Sequence, residues 1–229
     1  MTVNGSGEAG RGGLLIVLAC HGVYEEGTRR FYGEHPEDLP VYERQLRYAF
    51  EHAASRSAEG PQLITSGAPT KPETTRSEGA SYLDWARVLG ILPVGENVAS
   101  EDFALTSTEN LLFSLYRYHQ LRGAFPAAIH AISWAFKRDR FVATLDAINA
   151  SGLLGPQVLP AVEFFGVGNL SGSALRAVEV VEQAYVESLK SGIHALYRNP
   201  ATIEAIVRRD PHNSRGAVRS FYRGYPMPF

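Results

Sequence analysis

Leu14-Leu15-Ile16-Val17-Leu18-Ala19-Cys20-His21-Gly22 is the stretch on which the fold turns. Seven apolar residues in succession, with no polar residue at alternate positions, read as a strand buried on both faces. Such strands belong to parallel sheets covered by helices on either side. The residue that leaves the carboxyl end of such a strand stands where open α/β sheets place their ligand chemistry. Here that residue is His21, whose imidazole can change charge near neutral pH.

Outward from this strand the pattern alternates. A helix is expected from Pro40 to Ser57, a strand at 62–67, a helix from Arg76 to Leu89 and a short strand at Asn97 to Ser100. Thr106 to Arg122 reads as a helix with Leu111, Leu112, Leu115 and Tyr116 on one face and Gly123 as its C-cap. Ala127 to Ser133 and Val158 to Val167 read as strands around a helix at Arg138 to Ala150, with Pro160 placing the last strand at an edge or delaying its start. Strands alternating with helices predict a Rossmann-like, doubly wound, mainly parallel sheet with helices on both faces. Residues 1–13, rich in Gly and small polar types, are expected to be a disordered leader, 14–168 the α/β core, and 169–229 a helical extension packed on it. In that extension 173–190 and 200–209 read as helices, and 210–229 as irregular and aromatic.

The 229 residues carry a formal charge of −2 and one cysteine. No basic run marks a nucleic-acid or membrane surface. The first apolar run is far shorter than the roughly 20 residues needed to span a bilayer, and no cleavage-site pattern follows it. A cytoplasmic protein without a disulfide is expected.

Four segments fall at predicted strand ends: His21, Ser66-Gly67, Thr106 to Asn110 and Ser133. The following helices would aim their amino ends at one crevice, a favourable place for an anion. Ser66-Gly67-Ala68 permits close backbone approach, and Ser107, Asn110 and Lys71 add polar groups. Lys137, Arg138 and Arg140 follow the fourth strand, where one or two of them are expected to reach the crevice and bind carboxylate or phosphate. Glu78 and Glu109 open helices; Thr75-Arg76-Ser77-Glu78 and Thr106-Ser107-Thr108-Glu109 both match a capping box, so each carboxylate reads equally as a cap or as a ligand contact. Cys20 beside His21 reads as a buried structural thiol, since neighbouring strand residues face opposite sides. No histidine or cysteine spacing supports a metal, and the phosphate-loop, nucleophile-elbow and dinucleotide-binding motifs are absent.

At these same positions the chain resembles the domain-of-unknown-function 218 family, which includes SanA-like and YdcF-like bacterial proteins. The likeness is carried by Ser66-Gly67 with Arg76-Ser77-Glu78-Gly79-Ala80, and by Ser100-Glu101-Asp102-Phe103-Ala104 with Ser107-Thr108-Glu109-Asn110. Cys20-His21, the run 109–114 and Phe136-Lys137-Arg138-Asp139-Arg140-Phe141 bring it nearest the eukaryotic, mainly fungal, members. It extends in order from Leu14 to Gly168, and loosely to Arg209-Asp210-Pro211. The resemblance implies a Rossmann-like fold, a pocket at the strand ends and an adenosyl or nucleotide-like ligand. Departures at Ala19 to Gly22, Ala68, Thr106 and Phe136 to Arg138 surround that pocket, so a shared ligand does not follow.

Together these features predict a small-molecule enzyme with cofactor-independent acid–base chemistry: isomerisation, cyclisation, elimination or hydrolysis. His21, Glu78, Glu109 and Lys137 would form the catalytic set; Ser66, Gly67, Ser107, Asn110, Ser133, Arg138 and Arg140 would bind an anionic ligand. The alternative is a protein that binds S-adenosylmethionine or a nucleotide through the Ser66-Gly67 amides, without turnover or for group transfer.

Overall fold

In the computed structural model, which describes residues 12–91 and 97–229, the opening run forms strand β1 (Leu14–Ala19), each residue at most 1% exposed. Strict alternation divides its side chains between two layers. Leu14, Ile16 and Leu18 pack with α1 (Leu39–Ser55) and α2 (Glu78–Val88). Leu15, Val17 and Ala19 pack with α3 (Ser107–Arg122) and α4 (Arg138–Ser151).

Strands β4 (Gln62–Ser66), β5 (Val98–Glu101), β6 (Ala128–Ser133) and β7 (Val162–Gly166) join β1 in one parallel sheet, ordered β5-β4-β1-β6-β7. The architecture is α/β, doubly wound and Rossmann-like, as the alternation predicts. Winding runs outward from β1 to β5, then resumes on the other side at β6, so the order reverses between β1 and β6. β7 starts two residues past Pro160 and forms an edge, which spares proline an interior ladder bond.

The loop between β1 and α1 contains a small hairpin, β2 (Tyr24–Glu25) and β3 (Arg30–Phe31). Strands of two residues show no periodicity, so aromatic packing betrays them only in three dimensions: Phe31 lies 4.8 Å from the Trp85 ring and 5.5 Å from Tyr24. Beyond β7 follow α5 (Gly172–Lys190), α6 (Ile193–Leu196), α7 (Pro200–Arg209) and α8 (Arg215–Phe221). The last of these corrects the irregular reading of 210–229. Leu189, Ile193, Leu196, Tyr197, Ile206, Val218 and Tyr222 share one buried cluster with β1 and α3, so the extension completes the core. Of the expected leader, residues 1–11 lie outside the described residues. Gly12 and Gly13 are tied down, their carbonyls accepting the Ala127 N–H at 3.0 Å.

On the α1 side His52 Nε2 lies 2.8 Å from His130 Nδ1, and His130 Nε2 lies 3.1 Å from Glu163. Burial lowers both imidazole pKa values from the usual 6.5. A lowered folded pKa gives stability that is present above 6.5 and is lost as pH falls through the folded values. Thermal denaturation should therefore show a falling Tm from pH 7 to pH 5, and His52→Phe, which keeps the stack with Tyr48, should flatten that slope. An unchanged slope would show that the pair does not set acid sensitivity.

Candidate functional site

The strand order reverses between the carboxyl ends of β1 and β6, the place where open α/β sheets form a ligand crevice. His21 and Ser133 face each other across it, Nε2 to Oγ at 3.2 Å. The Tyr82 hydroxyl accepts the His21 N–H at 3.3 Å and donates to its carbonyl at 3.0 Å, fixing the backbone. The rings of Tyr42 and Trp134 stand 5.9 and 6.4 Å from the imidazole. Ser133 is 0% exposed, so its hydroxyl orients the ring and is out of reach as a nucleophile. Burial first, then Lys137 and Arg209, hold the His21 pKa well below 6.5. The ring is neutral at pH 7.

Glu78 belongs to the crevice. Its helix is capped by Ser77, whose Oγ accepts the Ala80 N–H at 2.9 Å, which makes Glu78 the first helical residue instead of the third. The capping-box reading therefore fails at Glu78, and the carboxylate turns inward, 2% exposed. It accepts from Thr70 Oγ1 at 2.6 Å and lies 3.5 Å from an Arg209 nitrogen. A side chain at Gly67 would put a carbon 2.6 Å from its Oε2. Burial raises the Glu78 pKa; Arg209, Thr70 and the Gly22 N–H oppose the rise.

Lys137 is the N-cap residue of α4; burial lowers its pKa to about 7, Arg140 and Arg209 add to the fall, and Glu182 and Glu78 oppose it. Arg140 donates to Glu182 at 2.6 Å and to Ser107 Oγ at 3.4 Å, and its guanidinium covers the Tyr185 ring at 3.9 Å. Arg138 is turned away: it donates to the Phe164 carbonyl and lies over that ring, which removes it from the binding set. Lys71 is paired with Glu34 at 2.6 Å on the hairpin side.

The remaining expected residues serve the framework. Glu109 does reach back at its helix start, accepting the Leu105 N–H at 2.7 Å, while Thr106 caps. Its other oxygen accepts from Arg215 at 2.6 Å, so it anchors the extension and is removed from the catalytic set. Ser66 donates to Glu101 at 2.7 Å, and Asn110 donates to the Ser66 carbonyl, both inside the protein. The Gly67 and Ala68 N–H groups donate to the Glu101 and Ala104 carbonyls, and those of Glu78 and Gly79 to the Ala68 and Gly67 carbonyls. The amides expected to cradle a phosphate are thus consumed by the fold. Cys20 is 2% exposed and burial raises its pKa, as a structural thiol requires. No group of three histidine, cysteine or acidic residues among the described residues is arranged for a metal.

Two elements of the site receive no specific role from the sequence, although both stand in pieces that resemble the family. Glu101, 1% exposed, gathers Ser66, the Phe103 and Ala104 N–H groups and the Tyr222 hydroxyl, while burial pushes its pKa up to about 8. The other is the extension, which covers the crevice: Arg209 meets Glu78, His212 meets the Lys71 carbonyl at 2.9 Å, and Arg215 meets Glu109. Arg209-Asp210-Pro211, the loosely matching piece of the tail, was the available signal. An open groove runs between α4 and α5, lined by Phe136, Asp139, Val142, Glu182 and Val186.

No family model matches the chain, and no solved structure matches it. A stretch of 48 residues, 21% of this chain, is 40% identical to an uncharacterized protein of Saccharomyces cerevisiae, YOR238W, and spans 16% of that protein. No helix among the described residues is long and apolar enough to cross a membrane.

Proposed function

We propose that the protein is a small-molecule enzyme that moves a proton on an anionic substrate without a bound cofactor, in the crevice between β1 and β6. The observation that carries this reading is the seat of His21 against Ser133 where the strand order reverses, with Lys137 and Arg209 near enough to act on its charge and Arg209 lying 3.5 Å from the buried Glu78. His21 is the base. The cations receive the substrate's carboxylate or a developing enolate, and Arg140 Nε, buried without a protein acceptor, is one more donor for it. An anion placed between these cations relieves the repulsion that depresses the His21 pKa, so binding itself makes the ring a stronger base. The resemblance to the domain-of-unknown-function 218 family supports a strand-end ligand pocket and no particular reaction. An S-adenosylmethionine or nucleotide ligand is disfavoured, because the Gly67, Ala68 and α2 amides are already bonded.

Deuterium exchange into small oxo acids, followed by proton NMR, tests the proposal. The wild-type chain should catalyse exchange beside the carbonyl of pyruvate or 2-oxobutyrate, and His21→Gln should slow it on the order of 10²-fold. Exchange that His21→Gln leaves intact, or its absence with both probes, overturns the reading. Thermal-shift measurements should show stabilisation by these acids and none by S-adenosylmethionine.

A further inference from the structure

A cavity of about 290 Å³ lies in the extension, bounded by α7, the turn that follows it and the Phe229 ring. Much of its wall is apolar. Ile206 is buried, while Ile203 and Val207, one helical turn apart, are exposed to solvent. Large aliphatic side chains left in water around a concave surface favour any ligand that covers them. The volume stands at the lower end of the roughly 300–1,000 Å³ of small-molecule sites, which suits a ligand of amino-acid size and leaves no room for a nucleotide.

The same cavity is lined by groups of opposite charge, Asp210 and Arg215. Arg215 donates from one terminal nitrogen to Glu109 at 2.6 Å, and its guanidinium lies 3.9 Å from the centre of the Phe229 ring. The second terminal nitrogen, Nη1, is buried without an acceptor among the described residues. A donor left in that state is unfavourable until an acceptor fills it. Asp210 has the complementary lack. One of its carboxylate oxygens accepts the Ser214 N–H at 2.7 Å, which ties it to the residue preceding Arg215. Among the described residues no cation pairs with it. Asn213, also on the cavity wall, adds an amide between the two charges in the chain.

We infer that this cavity binds a free α-amino acid with an apolar side chain, of leucine or phenylalanine size. The ligand's carboxylate goes to Arg215, whose unfilled donor takes one of its oxygens, and the ammonium goes to Asp210. The side chain lies against Ile203, Ile206 and Val207. The two charges select the zwitterion: a plain carboxylate meets Asp210 as a like charge, and a plain amine meets Arg215. The site is built from the extension and stands whether or not the crevice at His21 is catalytic.

Isothermal titration calorimetry and thermal-shift measurements on the full chain test the inference, with L-leucine as the probe. Two relatives of leucine each lack one charge: 4-methylpentanoate has no ammonium and 3-methylbutylamine no carboxylate. L-Leucine should bind one to one and raise the Tm, and each relative should bind at least about tenfold more weakly, the usual effect of losing a charged hydrogen bond. Asp210→Asn keeps an acceptor for the Ser214 N–H and removes the charge; it should weaken leucine about tenfold while leaving the Tm of the free protein unchanged. Val207→Gln, at a side chain 68% exposed and therefore harmless to the fold, should also weaken leucine, by removing apolar wall. Failure of leucine to bind overturns the site. Binding of 4-methylpentanoate as tight as that of leucine overturns the role of Asp210, and leucine binding that ignores both variants places the ligand elsewhere and overturns the inference.

Discussion

Arg215→Met should cost about 3–5 kcal/mol of folding stability in urea denaturation at pH 7, the usual consequence of removing one partner from a buried ion pair. Glu109 is 0% exposed, and the Arg215 side chain only 22%. Once the guanidinium is gone, the carboxylate keeps the Leu105 N–H and little else with which to replace hydration. The arginine also lies over the Phe229 ring at 3.9 Å, so its loss loosens the end of the chain. The pH dependence has a definite sign. Burial already holds the Glu109 pKa above 4.5, with Arg215 the main opposing influence, and the substitution raises it further. A group with a raised folded pKa is least costly below its unfolded pKa and costs more as pH rises. The deficit of Arg215→Met should therefore be smallest near pH 4.5 and grow toward pH 7. Glu109→Gln combined with Arg215→Met should recover most of the loss, because an amide needs no counter-charge. A single variant within about 1 kcal/mol of wild type would show that this pair does not anchor the extension.

Gly79→Ala should destabilise the protein by about 1–3 kcal/mol, although alanine is the better helix former by about 1 kcal/mol. Gly79 lies in the first turn of α2, where the helix presses against the sheet. An added carbon would sit 2.6 Å from both the Glu101 and Thr65 carbonyl oxygens. Neither is the tip of a side chain that can swing aside; they belong to adjacent strands paired in register. Relief requires α2 to back away from the sheet, which would stretch the Gly79 N–H bond to the Gly67 carbonyl and the bond from Thr65 Oγ1 to the Gly79 carbonyl. It would also displace Glu78 from the crevice. Differential scanning calorimetry should show a lower Tm. A Tm equal to or above that of wild type would mean that helix propensity outweighs the contact.

The run 14–20 was legible as an interior strand because a strand covered on both faces has no polar side to display. The α3 boundaries were legible for a related reason: Thr106 and Gly123 satisfy the orphan groups at its two ends with their own chemistry. Ser77 held the same information for α2, but Thr75 offered an equally good cap pattern. Only the Ala80 N–H bond to Ser77 Oγ settles the register, and that bond moves Glu78 from a helix cap into the crevice.

Alternation, apolar runs and caps act over a few residues, so the order of strands and helices and the place of His21 at a strand end followed from the chain alone. The partners of buried charges did not. Glu78 and Arg209, or Glu109 and Arg215, are more than a hundred positions apart, and no local pattern records which cation will meet which acid. That choice comes from the packing of α7 and α8 over the strand ends, where low dielectric makes each pairing decisive. Among the described residues the same packing leaves Lys137 without a carboxylate of its own. The surrounding fold distinguishes it from the other two lysines.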